Sequence, residues 1–200
     1  MLEIIIAAGW PIVPLLVASI VSVMIIIERL LALRPKIIAP NNLLPEVQKM
    51  LNQGSISKEM IAQVHGHSLL GELFASALAN AKNSREITKE SIEETGRAVI
   101  HKLEKYLPTL GTIATVAPLL GLLGTVIGMV ELFGSFTNSG HDVAQFARGI
   151  SVALYNTAAG IVVAVPAMIF YRYFRSKVDD LIVDMEQQAI KLVEIIHGDR

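Results

Sequence analysis

Residues 106–130 read YLPTLGTIATVAPLLGLLGTVIGMV, 25 positions without one charged side chain. A bilayer core of about 30 Å takes roughly 20 apolar residues in a helix, so this stretch is long enough to cross it. Lipid offers no hydrogen bonds to the backbone, and a continuous apolar run of this length satisfies its own only as a helix. Two further runs lack charge in the same way, 4–27 and 149–171, of 24 and 23 residues. The three runs total 72 residues. The other 128 hold all 17 Lys+Arg and 18 Asp+Glu, or about 27%, close to the charge density of a soluble protein. The expected fold class is therefore all-α: a membrane protein with three transmembrane helices, two of them extending into the cytoplasm. A simple soluble globule, a disordered chain and a disulfide scaffold are excluded.

Net charge is −1, so no basic surplus invites nucleic acid. Cysteine is absent, which removes disulfides, thiolate metal sites and cysteine nucleophiles. The first run follows Met1-Leu2-Glu3 rather than a basic segment, and it ends in Ile25-Ile26-Ile27-Glu28 with no small-residue cleavage site. It reads as a retained membrane helix, not a signal peptide. Pro11 and Pro14 mark its start, because proline's missing N–H costs nothing in a first turn. Residues 2–9 are expected at the interface.

Basic residues set the orientation. Arg29, Arg34 and Lys36 follow the first run, Lys102 and Lys105 precede the second, and Arg172, Arg175 and Lys177 follow the third. The opposite side has only Arg148. The positive-inside rule then predicts a multi-pass membrane protein with its N-terminus outside, a large cytoplasmic region at 29–105, a short outer loop and its C-terminus in the cytoplasm. Trp10, Tyr171 and Tyr173 suit interfacial anchors. The expected layout is 1–28 first span, 29–105 cytoplasmic helical region, 106–130 second span, 131–148 periplasmic loop, 149–171 third span and 172–200 cytoplasmic C-terminal helix.

In the cytoplasmic region 43–51, 57–64 and 69–81 read as short amphipathic helices, broken at Asn52-Gln53-Gly54 and His65-Gly66-His67. A longer helix is predicted from an N-cap at Thr88, with Glu90 in its first turn. Ile92, Val99, Ile100, Leu103 and Leu107 form its stripe, and it is expected to run directly into the second span. The third span likewise continues inward along Val178, Leu181, Ile182, Met185, Ile190, Leu192, Val193 and Ile196.

The spans differ in character. The first is rich in Ile and Val, as a lipid-facing helix would be. The second carries Gly121, Gly124 and Gly128 on one face, and Gly124-x-x-x-Gly128 is a close-packing pattern. The third repeats the theme with Ala153, Gly160, Ala164 and Ala167. Thr109, Thr112, Thr115, Thr125, Ser151, Asn156 and Thr157 add uncharged hydrogen-bonding groups. A hydroxyl can satisfy itself on its own helix, whereas Asn156 should face protein or water.

The segment Ala117-Pro118-Leu119-Leu120-Gly121-Leu122-Leu123-Gly124-Thr125-Val126-Ile127-Gly128-Met129 resembles the signature of the ExbB/TolQ/MotA proton-channel family. Gly149-Ile150-Ser151-Val152-Ala153-Leu154-Tyr155-Asn156-Thr157-Ala158-Ala159-Gly160, ending in Ala164-Val165-Pro166-Ala167, resembles the family's third-span motif. Glu28-Arg29 also fits, and the three-span layout is most like ExbB. The resemblance implies a homo-oligomer, a pentamer, whose second and third spans line a lumen. It implies as partners an ExbD-like single-span subunit bearing an essential Asp, and a TonB-like protein that carries the motion toward the outer membrane in TonB-dependent transport. Thr125 and Thr157 match the family's lumen threonines, with Asn156 beside them. Pro118, Gly121, Gly124, Gly128, Gly160 and Pro166 fall on helix-packing and kink positions.

One departure from the pattern stands at Val152, where many members have Glu. Glu131 is a candidate substitute on height, yet six residues place it about 240° around the helix from Thr125. A solvated Glu at a helix end is the plainer account. His65 and His67 lack a third ligand and read as loop residues. No motif for a cofactor or for enzyme chemistry is present. The alternatives are a TolQ-like subunit for envelope integrity and a membrane scaffold that conducts nothing.

Overall fold

The computed structural model describes residues 10–54, 56–135 and 143–198. Among these no strand occurs, and the fold is all-α. The helices are α1 (Ile12–Ala32), α2 (Pro35–Ile38), α3 (Leu43–Gln53), α4 (Lys58–His65), α5 (Leu69–Ala79), α6 (Arg85–Leu103), α7 (Leu107–Ser135) and α8 (Val143–His197). Three of them, α1, α7 and α8, are long and apolar enough to cross a membrane. The chain divides into two compact units, one of Met1–Glu28 and Tyr106–Tyr173, the other of Arg29–Lys105 and Phe174–Arg200.

In the first unit α1 begins at Ile12, directly after Pro11, with Pro14 in its first turn. Val13, Val17, Ile20, Met24 and Ile27 recur at helical spacing on an exposed, wholly apolar face, while Leu15, Ser22 and Ile26 are buried. Leu15 packs with Ala117 of α7 and Ala164 of α8, and Leu120, Ala159 and Val163 close around them. Residues 2–9, expected at the interface, lie outside the described residues, as do residues 136–142 between α7 and α8.

The second unit is a helical domain built on long apolar stripes. Leu70, Leu73, Phe74, Ala77 and Leu78 of α5 are buried, as are Val99 and Leu103 of α6. So are Phe174, Val178, Leu181, Met185, Leu192 and Val193 on the C-terminal part of α8. Phe74 and Phe174 are fully enclosed; burial of a side chain this size stabilises by about 1.5–3 kcal/mol. Serine caps start three of the helices. The hydroxyls of Ser57, Ser68 and Ser84 accept from the backbone N–H of Met60, Gly71 and Ile87. Glu59 and Glu86, in the first turns of α4 and α6, are held below the ordinary carboxylate value. Their own backbone N–H groups are the main cause and the capping serines the second.

Three expectations for this region are corrected. The long helix starts at Arg85 under Ser84, not under Thr88. Thr88 sits inside it, fully buried, and its hydroxyl donates to Asn80 O and Ser84 O at 3.1 Å each. Nor does this helix run into the second span. It ends at Leu103, and Tyr106 adopts φ 66 before α7 begins at Leu107. Pro108 explains the break: it has no N–H for the Glu104 carbonyl, and its ring would clash there. As the second residue of α7 it costs nothing. The left-handed Tyr106 costs about 1 kcal/mol and redirects the chain between helices. Ile190, placed on the buried stripe of α8, is 54% exposed.

Candidate functional site

The site grows from the seam between α7 and the first part of α8. Their contacts pair Gly111 with Tyr171, Gly121 with Asn156, Thr157 and Gly160, Gly124 with Asn156, Gly128 with Ala153, and Leu132 with Gly149. Paired residue numbers keep a nearly constant sum, so the helices are antiparallel and in fixed register. The approach is closest at the middle. A Cβ on Gly121 would lie 2.7 Å from Asn156 O, 3.1 Å from Thr157 Cα and 3.2 Å from Gly160 Cα. A Cβ on Gly160 would lie 2.6 Å from Ala117 O. Here backbone meets backbone, and only glycine fits.

Gly124 serves a different neighbour. Its missing side chain leaves room for Asn156, whose Cβ and Cγ would each stand 2.8 Å from an added Cβ. Asn156 is only 2% exposed, so this amide lies in the seam, enclosed by its own chain. Gly128 is looser, with Ala153 Cβ at 3.5 Å. Pro118 and Pro166 both lie inside their helices. Each removes one N–H, from the carbonyls of Ala114 and Val162, and so weakens the hairpin at neighbouring levels.

The register settles a question of height. A pair sum near 281 sets Thr125 level with Asn156 and Thr157 level with Gly124, so the two threonines stand within about one residue, or 1.5 Å, of each other along the axes. Rotation settles the flank. At 100° per residue the buried face of α7 runs through Leu110, Ala114, Ala117, Gly121 and Gly124. Leu120, on one side of that face, packs against the cluster that Leu15 of α1 forms with Ala117 and Ala164, as Ala159 and Val163 of α8 do. Thr125 falls on the other side of the α7 face, and Thr157 on the other side of the α8 face. Both hydroxyls are half-buried on the flank turned away from α1.

Their hydrogen bonds differ. Thr125 Oγ1 donates to Leu122 O of its own helix at 2.7 Å. Thr157 Oγ1 crosses to Gly121 O at 3.5 Å, the outer limit for a hydrogen bond. Thr112, Thr115 and Ser151 close on carbonyls of their own helices. Glu131 is exposed and takes the α1 side of the α7 face, not the threonine side. The side chain of Val152 lies outside the described residues. Glycine spacing showed the α7 face in advance. It did not reveal Gly149, where an added Cβ would strike Leu132 Cδ1 at 2.6 Å, nor the Tyr171 ring lying over Gly111. Their signal is pairwise and appears only with the register. Among the described residues no three His, Asp or Glu side chains gather as a metal site.

A tight antiparallel pair of membrane-length helices, with hydroxyls on one flank and a third apolar helix on the other, defines a multi-pass membrane protein. The profile of the MotA/TolQ/ExbB proton channel family matches residues 65–187, and the chain belongs to that family. It is 30% identical over 176 residues to the biopolymer transport protein ExbB-like 3 of Synechocystis sp., covering 85% of this chain and 82% of that one. An ExbB homologue of Methanothermobacter thermautotrophicus is 30% identical, covering 58% of this chain and 42% of its own length. The Tol-Pal system protein TolQ of Pseudomonas aeruginosa is 34% identical, covering 48% and 42%.

Proposed function

We propose that this chain is the ExbB-like subunit of a motor in a bacterial inner membrane, driven by the proton motive force. Its N-terminus is periplasmic and its C-terminus cytoplasmic. It energises TonB-dependent transport across the outer membrane. Copies assemble as a homo-pentamer in which the threonine flanks of α7 and α8 line a lumen, while α1 faces lipid. An ExbD-like single-span subunit stands in that lumen and supplies the ionisable group, and a TonB-like protein takes up the motion. Asn156 acts from inside the seam, where it holds α8 against Gly124.

The observation that carries this reading is the two-sidedness of the hairpin. Thr125 and Thr157 share one level and one flank, and α1 packs against the other. A hydroxyl that donates to its own helix keeps its acceptor lone pairs, so Thr125 can accept from a protonated carboxyl on a partner helix. A non-conducting scaffold has no use for two hydroxyls set this way. A TolQ-like role uses the same parts, and the Pseudomonas relative favours keeping it as the second reading.

Capture of the full chain from its native membrane in mild detergent tests the proposal. The expected complex holds five copies of the chain and a single-span protein with a carboxylate in its span. Recovery of the chain alone, as one copy, would refute it. Loss of energised uptake in a deletion strain supports the ExbB-like role, and loss of detergent resistance alone supports the TolQ-like one.

A further inference from the structure

Helix α2 follows α1 after only two residues. Lys36 stands four positions past Ala32, so even a fully extended chain keeps it within about 14 Å of the end of the span. This stretch therefore stays near the end of a membrane-length helix whatever the rest of the protein does. It is also firmly seated, because Leu33, Ile38 and Ala39 are buried. Against that seating, Ile37 is turned outward and is 59% exposed, and Leu30 and Leu31 are exposed just before it. Arg34 and Lys36 are exposed beside them. Outward apolar side chains interleaved with cations, next to the end of a span, suit a lipid surface.

A cavity of about 360 Å³ opens at the same place, lined by Pro35, Lys36, Ala39, Pro40, Asn41 and Asn42. That is within the size range of small-ligand sites. Proline contributes no N–H, so the polar chemistry of the wall comes from the Lys36 ammonium and two amides. Asn42 Nδ2 already donates to Glu46 Oε1 at 2.7 Å. The Glu46 carboxylate is thus held on Asn42, leaving Lys36 and Asn41 as the groups for an incoming anion.

We propose that this cavity binds the headgroup of an anionic phospholipid. Lys36 meets the phosphodiester charge, the Asn41 amide donates to a phosphate or glycerol oxygen, and Ile37, Leu30 and Leu31 lie along the acyl chains. The occupant is a lipid rather than a soluble anion, because the apolar side chains are continuous with the span. This assignment is independent of whether the subunit is ExbB-like or TolQ-like.

The test uses the full chain, stripped of lipid and returned to nanodiscs of phosphatidylcholine with a minor share of phosphatidylglycerol. Native mass spectrometry counts the phosphatidylglycerol retained per chain. Lys36→Gln is expected to weaken retention about fivefold. Asn41→Ala leaves the net charge unchanged and is expected to weaken it about tenfold through the lost hydrogen bond to a charged group. Arg34→Gln, outside the cavity, is the comparison, and circular dichroism checks that each variant keeps its helix content. Equal losses in the Lys36 and Arg34 variants, with none for Asn41→Ala, mean a diffuse basic surface and overturn the site. Displacement of the lipid by millimolar inorganic phosphate shows a free-anion site and overturns the lipid assignment. Unchanged lipid retention together with a smaller oligomer in the Lys36 or Asn41 variant gives this face to a second copy, which overturns it as well.

Discussion

Replacing Gly121 by Ala adds one methyl group at the tightest point of the α7–α8 seam. Its Cβ would stand 2.7 Å from the Asn156 carbonyl oxygen, where ordinary contact begins near 3.4 Å, so α8 must retreat by about 0.7 Å. Every near atom belongs to backbone, and no side chain can turn aside to absorb the shift. Overpacking of this kind costs about 1–3 kcal/mol. The gain in helix propensity from Gly to Ala, about 1 kcal/mol, hides part of that cost. Gly128→Ala removes the ambiguity. It makes the same chemical change on the same helix, but its Cβ meets Ala153 Cβ at 3.5 Å, an ordinary contact. The propensity gain cancels between the two variants, so their difference isolates the seam. Gly121→Ala is expected to unfold about 1–3 kcal/mol more easily than Gly128→Ala. Equilibrium unfolding of each variant in mixed micelles, followed by helix content, measures it. Equal stabilities would refute the backbone-to-backbone seam and the register derived from it.

Thr125→Val with Thr157→Val should abolish energised uptake while changing stability by less than about 1 kcal/mol, because one hydroxyl bonds only its own helix and the other reaches its acceptor at 3.5 Å; retained uptake would favour the scaffold. Glu131→Gln is expected to keep wild-type uptake, since the side chain takes the α1 side of the α7 face; a loss would restore Glu131 as a substitute for the carboxylate missing at position 152. Arg29→Leu should destabilise the second unit by about 1–3 kcal/mol, measured by thermal unfolding. The buried Arg29 guanidinium donates from Nη1 to Leu103 O at 3.3 Å, a carbonyl in the last turn of α6 that its own helix leaves unsatisfied. A silent Arg29→Leu would remove that role.

The spans were legible because the membrane imposes a one-dimensional test, length without charge, which residues 106–130 pass by themselves. The glycine face of α7 was legible for a similar reason: the spacing of Gly121, Gly124 and Gly128 needs only the helical repeat. Amphipathic stripes and glycine breaks placed α3, α4 and α5 to within a few residues. Thr88 misled because a Thr followed by Glu resembles a cap. Ser84 offers the same chemistry four residues earlier, and the burial of Thr88, whose hydroxyl donates to Asn80 O and Ser84 O, decides between them. The helix does not continue into the second span because Pro108, one turn after Glu104, is enough to stop one helix and begin another.

By itself the sequence determined an all-α membrane chain with three spans and two crowded by small residues, and its motifs pointed to the family. Tertiary structure alone decided the register of α7 on α8, the enclosure of Asn156 over Gly124, the common level of Thr125 and Thr157, and the flank they share. The reason is physical. Periodicity reports which face of a helix is small or apolar, but register and flank depend on contacts between residues far apart in the sequence, from 17 positions for Leu132 and Gly149 to 60 for Gly111 and Tyr171. Those contacts exist only once the helices touch.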